Sequence, residues 1–272
     1  VNNLGKIAIF DTNTGEILKT LNVGYHPDCV VLTPDKTKIL VANEGEYNAS
    51  EAFARPGSLS VIDISSVTTI ADIANLTQSK VATFDFQDSN LATGVTLRGV
   101  RDNTLAMNTA NTTAGFANIE AEYVTATNTQ AYVTLQENNA IATIDMSTKA
   151  ILEISGLGFK KHSVAGNGLD AINDGKATVA TQNVLGMYLP DAIATLKGAD
   201  GTNYVVTANE GDTRSYPCIL GGTDTTKIED EDAKISAIFD STDTAITAVS
   251  KAVGSLVVTP FAPATARAIA VT

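Results

Sequence analysis

Tryptophan is absent from these 272 residues, and cysteine and histidine occur twice each. So few cysteines exclude a small disulfide-stapled scaffold. Cys29 and Cys218 each follow a repeated acidic segment, so the repeat could bring them together as a disulfide. Two buried free thiols are the other reading. With no Cys/His ligand spacing, a zinc site is excluded. Basic residues are scarce as well: 18 Lys and Arg face 30 Asp and Glu, a net charge of −12. Nucleic-acid binding needs clustered Lys and Arg, so that class is set aside. No apolar run approaches the roughly 20 residues that cross a bilayer as a helix, so no membrane span is expected. No basic-then-apolar leader opens the chain. It begins at Val1 without an initiating Met, which fits a mature or trimmed product. Nucleophile elbow, P-loop and dinucleotide fingerprint are all missing.

What the chain has is repetition. ILVANEGE (39–46), AYVTLQENN (131–139) and YVVTANEGD (204–212) are copies of one pattern. Each is a β-rich run that stops at an amide followed by an acid: Asn43-Glu44, Gln136-Glu137 and Asn209-Glu210. Upstream lie PDCVV (27–31), AEYVT (121–125) and PDAIA (190–194), which carry Asp28, Glu122 and Asp191. A second pattern interleaves: KIAIFDTNTGEIL (6–18), SLSVIDISS (58–66), AIATIDMSTKAIL (140–152) and KISAIFDSTDTAI (234–246). Period-two alternation with β-branched residues reads as strand. Asp11, Asp63, Asp145 and Asp240 end those strands and are expected to cap the following turns through their side chains.

The order is acid, strand, turn, strand, amide-acid, then strand, Asp-turn, strand. Residues 27–86 show the full unit, 121–155 repeat it compactly, and 190–246 repeat it with an insertion at 213–232. A four-stranded antiparallel unit repeated along one chain predicts an all-β β-propeller, read as a single domain over 1–272. Four units are recognisable. The chain opens with the second hairpin alone (5–23) and closes with SLVVTPFAPATARAIAVT (255–272), which resembles the first. These two hairpins are expected to share a blade and close the ring, removing free sheet edges. Two irregular stretches, 87–118 and 157–189, either hide further strands or form long loops, and the Gly-rich 156–175 reads as loop. Helix is limited to one short piece near 67–79.

In an antiparallel hairpin the start of the first strand and the end of the second lie at the same end. Asp28, Glu44, Glu122, Glu137, Asp191 and Glu210 are therefore expected on one face, near the axis, with Glu46, Glu120 and Asp212 nearby. Gathered carboxylates repel unless a cation or hydrogen bonds compensate. Oxygen-rich sets of acids and amides suit Ca²⁺, with Mg²⁺ or Mn²⁺ as alternatives. The plain alternative is that each acid caps its own loop. Lys160, Lys161 and His162 in GFKKHS (158–163), together with Arg214, could hold a phosphate or sulfate beside such a metal.

Residues 5–43 resemble the YVTN type of β-propeller repeat. VANEGEYN (41–48), EAEYVTATNTQAYVTLQENNAIATID (120–145), LGFKKHSVAGNGLD (157–170) and VLGMYLPDAIATLKGADGTNYVVTANEGDTRSY (184–216) resemble the secreted choice-of-anchor I propellers of bacteria. Their order and spacing match over residues 5 to 216, and residues 217–272 match poorly. The resemblance implies an extracellular, cell-surface or periplasmic protein of a kind often labelled alkaline-phosphatase-like, usually with more blades. Calcium-dependent phytase-type propellers are a more distant analogy. Two functions are carried forward. One is a binding or assembly module with a calcium-binding acidic face, its partner a protein, a glycan or a small phosphorylated ligand. The other is a metal-dependent phosphoric-ester hydrolase.

Overall fold

A computed structural model describes residues 3–45, 55–86 and 119–212, with short strands at 233–234, 257–258 and 270–271. The chain starts with β1 (Lys6–Phe10) and β2 (Ile17–Asn22), a two-stranded antiparallel sheet. β3 (Pro27–Leu32), β4 (Lys38–Asn43), β5 (Ser58–Asp63) and β6 (Val81–Asp85) form a four-stranded antiparallel sheet in sequence order. One turn of helix, α1 (Ile70–Ala74), interrupts the β5–β6 connection, where the sequence allowed one short helical piece. Its start is fixed by a capping box in which Asp72 takes the backbone N–H of Thr69 at 2.7 Å. β7 (Val124–Ala126), β8 (Gln130–Leu135), β9 (Ala140–Asp145) and β10 (Ala150–Gly156) repeat the four-stranded sheet. The units read over 27–86 and 121–155 are therefore both present, strand for strand.

Alternation decides how these sheets stack. Leu40 and Ala42 on β4, with Leu59 and Val61 on β5, share one buried cluster with Val124, Val133, Leu135, Ala142, Ile144 and Ile154 of the next sheet. Val41 and Ile62 point the other way and pack on Leu21 and Val23 from the β1–β2 side. A strand sandwiched between two apolar layers must be apolar on both faces, and β4 is. Fully burying one such aliphatic side chain contributes about 1.5–3 kcal/mol.

The three predicted Asp turns within the described residues form as expected. Asp11 accepts the N–H of Asn13 at 2.8 Å. Asp63 accepts the N–H of Ser65 at 2.9 Å and its hydroxyl at 2.6 Å. Asp145 accepts the Ser147 N–H at 2.8 Å and hydroxyl at 2.6 Å, and the Thr148 N–H at 3.0 Å. These donors hold the Asp145 carboxyl down at about 2. Asp240 lies outside the described residues.

The Gly-rich stretch read as loop contains β11 (Phe159–Lys161), which pairs antiparallel with β12 (Leu185–Met187) beyond that stretch. The third unit supplies its first hairpin, β13 (Pro190–Lys197) and β14 (Asn203–Asn209). Its expected second hairpin falls on residues outside the described set, except at its start. There β15 (Ala233–Lys234) pairs with β16 (Val257–Val258) rather than with β14. β17 (Ala270–Val271) joins β16 and runs parallel to β12, giving the sheet order β11-β12-β17-β16-β15.

The shared closing blade is thereby corrected. The described C-terminal strands take the edge of β12, in the irregular stretch 157–189 where further strands are one of the two readings. Among the described residues β1–β2 stays two-stranded. The architecture is all-β, a set of mainly antiparallel sheets of which two are the four-stranded repeats.

Candidate functional site

The first strands of three successive units lie side by side, β7 against β3 and β13 against β7. Threonines stitch the second and third. Thr134 donates its hydroxyl to the Asp191 carbonyl at 2.7 Å, and Thr125 Oγ1 accepts the Thr195 N–H at 3.2 Å. The acids at the strand starts therefore meet across unit boundaries.

The local cause is the same device used twice. Between Pro27 and Cys29, and again between Pro190 and Ile193, the pairing register shifts. Asp28 and Asp191 sit in these irregularities, where a bulge re-aims a side chain away from the regular pleat. The residue before each proline, His26 at φ 50° and Leu189 at φ 43°, is left-handed although neither is glycine. Such a conformation costs energy and persists only where neighbours impose it. The carbonyls of these two residues accept the N–H of Glu44 at 2.8 Å and of Glu210 at 3.3 Å. Each strained corner thus fixes the acid that follows the second strand.

Glycine completes the seam between the first two units. A Cβ on buried Gly57 would stand 2.2 Å from the Ile119 carbonyl oxygen and 2.8 Å from that of Glu44. Only glycine lets these backbones approach. Beyond the seam, Glu120 and Glu137 are both buried at 6% exposure.

Electrostatics shows that these groups share a field. Burial pushes the Glu122 carboxyl up to about 9, reinforced in order by Glu137, Glu44, Asp28 and Glu120. Burial also raises Asp28, against the pull of His26. Asp191 is raised by burial, then by Glu210 and Asp28. The six acids named from sequence thus interact across three units. Glu44 takes His26 Nδ1 at 2.8 Å, and Gln136 donates an amide hydrogen to Glu210 at 3.4 Å. Among the described residues, no three Asp, Glu, His or Cys side chains stand close enough together to ligate one ion as placed.

Three features escaped the sequence. Burial of Glu120 is one. A second is the field on the Cys29 thiol: it is free, as one of the two cysteine readings had it, and half-buried, with its pKa raised by burial and by Asp28 and Asp191. The third is Tyr123, whose hydroxyl is raised by Asp191 and Asp28. Cys29 and Tyr123 flank named acids in PDCVV and AEYVT, and that adjacency was the available signal. Cys218 lies outside the described residues, as does Arg214.

The basic loop runs from the end of β11 into the turn after it. Lys160 and Lys161 lie on β11, half-buried and exposed respectively. His162 faces inward to its own loop, its Nδ1 2.6 Å from the Asn167 carbonyl and its Nε2 where a Gly186 Cβ would be, at 2.6 Å. The ring braces the neck of the 162–184 excursion, where Gln182 N–H also reaches the His162 carbonyl at 3.1 Å.

A family model described as the choice-of-anchor I domain matches residues 1–265. The chain belongs to the choice-of-anchor I family. That membership sets this β-rich module among secreted and cell-surface proteins, and no described helix is long and apolar enough to cross a membrane. No curated protein matches the chain. Among solved structures, it is similar to a Bacteroides fragilis protein provisionally assigned as a 6-phosphogluconolactonase, with 10% identity and a TM-score of 0.31. That match covers 73% of this choice-of-anchor I chain and 55% of the other, so this chain spans just over half of that relative's length.

Proposed function

We propose that this choice-of-anchor I chain is a propeller-type binding or assembly module, exported or surface-attached, whose carboxylate face takes a divalent cation, Ca²⁺ first. The observation that carries the reading is the field around Glu122. Five carboxylates from two units press on one another, and burial pushes Glu122 up to about 9. A hard cation with oxygen ligands relieves that repulsion. Flexible Asp and Glu side chains would then close on the ion, with Gln136 as an amide donor beside them. The partner binds over that face.

A hydrolytic use of the face needs a cationic clamp for phosphate. The Nδ1 of His162 is turned to the Asn167 carbonyl of its own loop, and the binding reading asks for no such clamp.

Calorimetric titration of the metal-stripped chain with CaCl₂ tests this. Saturable binding that weakens at least about tenfold in Glu137→Gln supports it. No heat, and no change in melting temperature with excess Ca²⁺, would overturn it.

A further inference from the structure

Asparagine followed by glycine occurs once in the chain, at Asn167-Gly168. Asparagine is thermolabile because the backbone nitrogen that follows it can attack its side-chain amide. Glycine in the next position leaves that nitrogen uncrowded, since it carries no Cβ. Packing favours glycine here. A Cβ on residue 168 would stand 3.0 Å from both the carbonyl carbon and the carbonyl oxygen of Ala180. Ala180 in turn pairs with Leu169 through both its N–H and its carbonyl, at 3.1 and 3.0 Å. The dipeptide is half-buried at the neck of the 162–184 excursion, within reach of water.

His162 acts on the same peptide group. Its Nδ1 lies 2.6 Å from the Asn167 carbonyl oxygen. A carbonyl only accepts, so Nδ1 carries a proton and donates it. That bond draws electron density onto the oxygen of the 167–168 amide. The nitrogen of the amide, Gly168 N, then gives up its own proton more readily, because a hydrogen bond to the charged form favours that form. The ring is held in place by its packing over Gly186, where a Cβ would stand 2.6 Å from Nε2. The side chain of Asn167 meanwhile closes the neck, its Nδ2 donating to the Lys161 carbonyl at 3.1 Å.

We propose that Asn167 is a self-modification site, converted in the folded chain to aspartate and isoaspartate, with His162 activating the attacking amide. Gly168 N bonds to Asn167 Cγ and loses its proton. The Cγ–Nδ2 bond breaks, and Nδ2 leaves with that proton as ammonia. Water then opens the cyclic imide. Attack at Cγ gives aspartate. Attack at the main-chain carbonyl carbon gives isoaspartate, whose main chain is lengthened by the Cβ atom. Nothing is oxidised or reduced, and water is the only co-reactant. Neither product keeps Nδ2, so the bond to the Lys161 carbonyl is lost and the neck loosens. The excursion thereby carries an irreversible, age-dependent switch. It does not depend on the acidic face taking Ca²⁺, and calcium titration can fail without touching it.

Ageing the purified full chain in neutral buffer, then mapping the tryptic peptide that follows Lys161 and ends at Lys176 by mass spectrometry, tests this. That peptide also holds Asn173, followed by Asp174 rather than glycine, as an internal reference. Asn167 should convert faster than Asn173 and give isoaspartate alongside aspartate. His162→Leu removes the donor and should slow conversion about three- to tenfold, the worth of one ordinary hydrogen bond. His162→Asn returns an N–H to the Nδ1 position and should restore the rate. In urea the contact is gone, so wild type and His162→Leu should convert equally. Asn167 converting no faster than Asn173, His162→Leu matching wild type when folded, His162→Asn staying slow, or a difference that persists in urea would overturn the proposal. Hydrogen exchange on aged wild type needs no variant to fold. The Leu169 and Ala180 amides should lose protection as the converted fraction rises, and unchanged protection would overturn the switch.

Discussion

Replacing Glu122 with Gln should stabilise this protein, and the gain should grow with pH. In the folded chain the Glu122 carboxyl keeps its proton to about 9, against an ordinary 4.5. The sign follows from linkage. Below about pH 4.5 both folded and unfolded chains hold the proton, so the group costs nothing. Between that point and about pH 9 the unfolded chain releases it and the folded chain does not. Stability then falls by about 1.4 kcal/mol per pH unit for this one group. At pH 7 the deficit is about 3 kcal/mol, a large share of the 5–15 kcal/mol that usually holds a domain together. Gln is nearly isosteric and has no proton to lose. It should recover about 1–3 kcal/mol at pH 7, less whatever the amide hydrogens lack in partners. With no tryptophan in the chain, urea unfolding is best followed by far-UV circular dichroism, at pH 5, 7 and 9. Wild type should weaken across that series while the variant stays flatter. Parallel profiles for the two proteins, or a variant destabilised at every pH, would refute the account of a crowded carboxylate field. Saturating Ca²⁺ should shrink the difference, because the ion does for wild type what the amide does for the variant.

Three further outcomes can be checked with the same equipment. Asp145→Ala removes three turn bonds and should lower Tm by about 2–4 °C. Because this carboxyl is held down to about 2, its contribution is present above the ordinary carboxylate value and lost as pH falls through about 2, so the variant and wild type should converge in acid. Gly57→Ala drives a methyl into the Ile119 carbonyl and should cost about 1–3 kcal/mol in urea unfolding; a neutral result would show that the seam yields. Thr134→Val deletes the 2.7 Å bond to the Asp191 carbonyl and should cost about 1 kcal/mol, with faster hydrogen exchange at the start of β13 as the local readout.

The parts legible in the sequence were those with a repeat behind them. Leu40, Val41 and Ala42 announce a strand buried on both faces. The Asp-turn pattern located the ends of β5 and β9 within a residue. The six acids could be grouped because hairpin geometry puts strand starts and strand ends together, whatever the side chains do later. Interactions with no periodicity were not legible. The β12–β17 pairing joins Leu185 and Gly186 to residues near the C-terminus through only two paired positions, too few to leave a pattern. The left-handed corners at His26 and Leu189 were hidden because neither residue type suggests a positive φ and the residue before a proline is normally extended. The contact of His162 Nδ1 with the Asn167 carbonyl, inside its own loop, was likewise without a pattern to read.

Asn139 has a consequence of its own. It sits at φ 50° just after Glu137. Its amide hydrogen goes to the Gly158 carbonyl at 2.8 Å, and its oxygen takes the N–H groups of Tyr188 and Leu189 at 3.0 and 3.1 Å. One side chain therefore grips both ends of everything between Gly158 and Tyr188. The span of that excursion is uncoupled from the spacing of the units it connects. The part between β11 and β12, residues 162–184, should therefore change length without shifting Pro190 and Asp191, so long as position 139 can both give and accept. Aspartate there would keep the grip on Tyr188 and Leu189 and release Gly158. The grip sits two residues beyond Glu137, so the hinge of this excursion is anchored on the acidic floor itself.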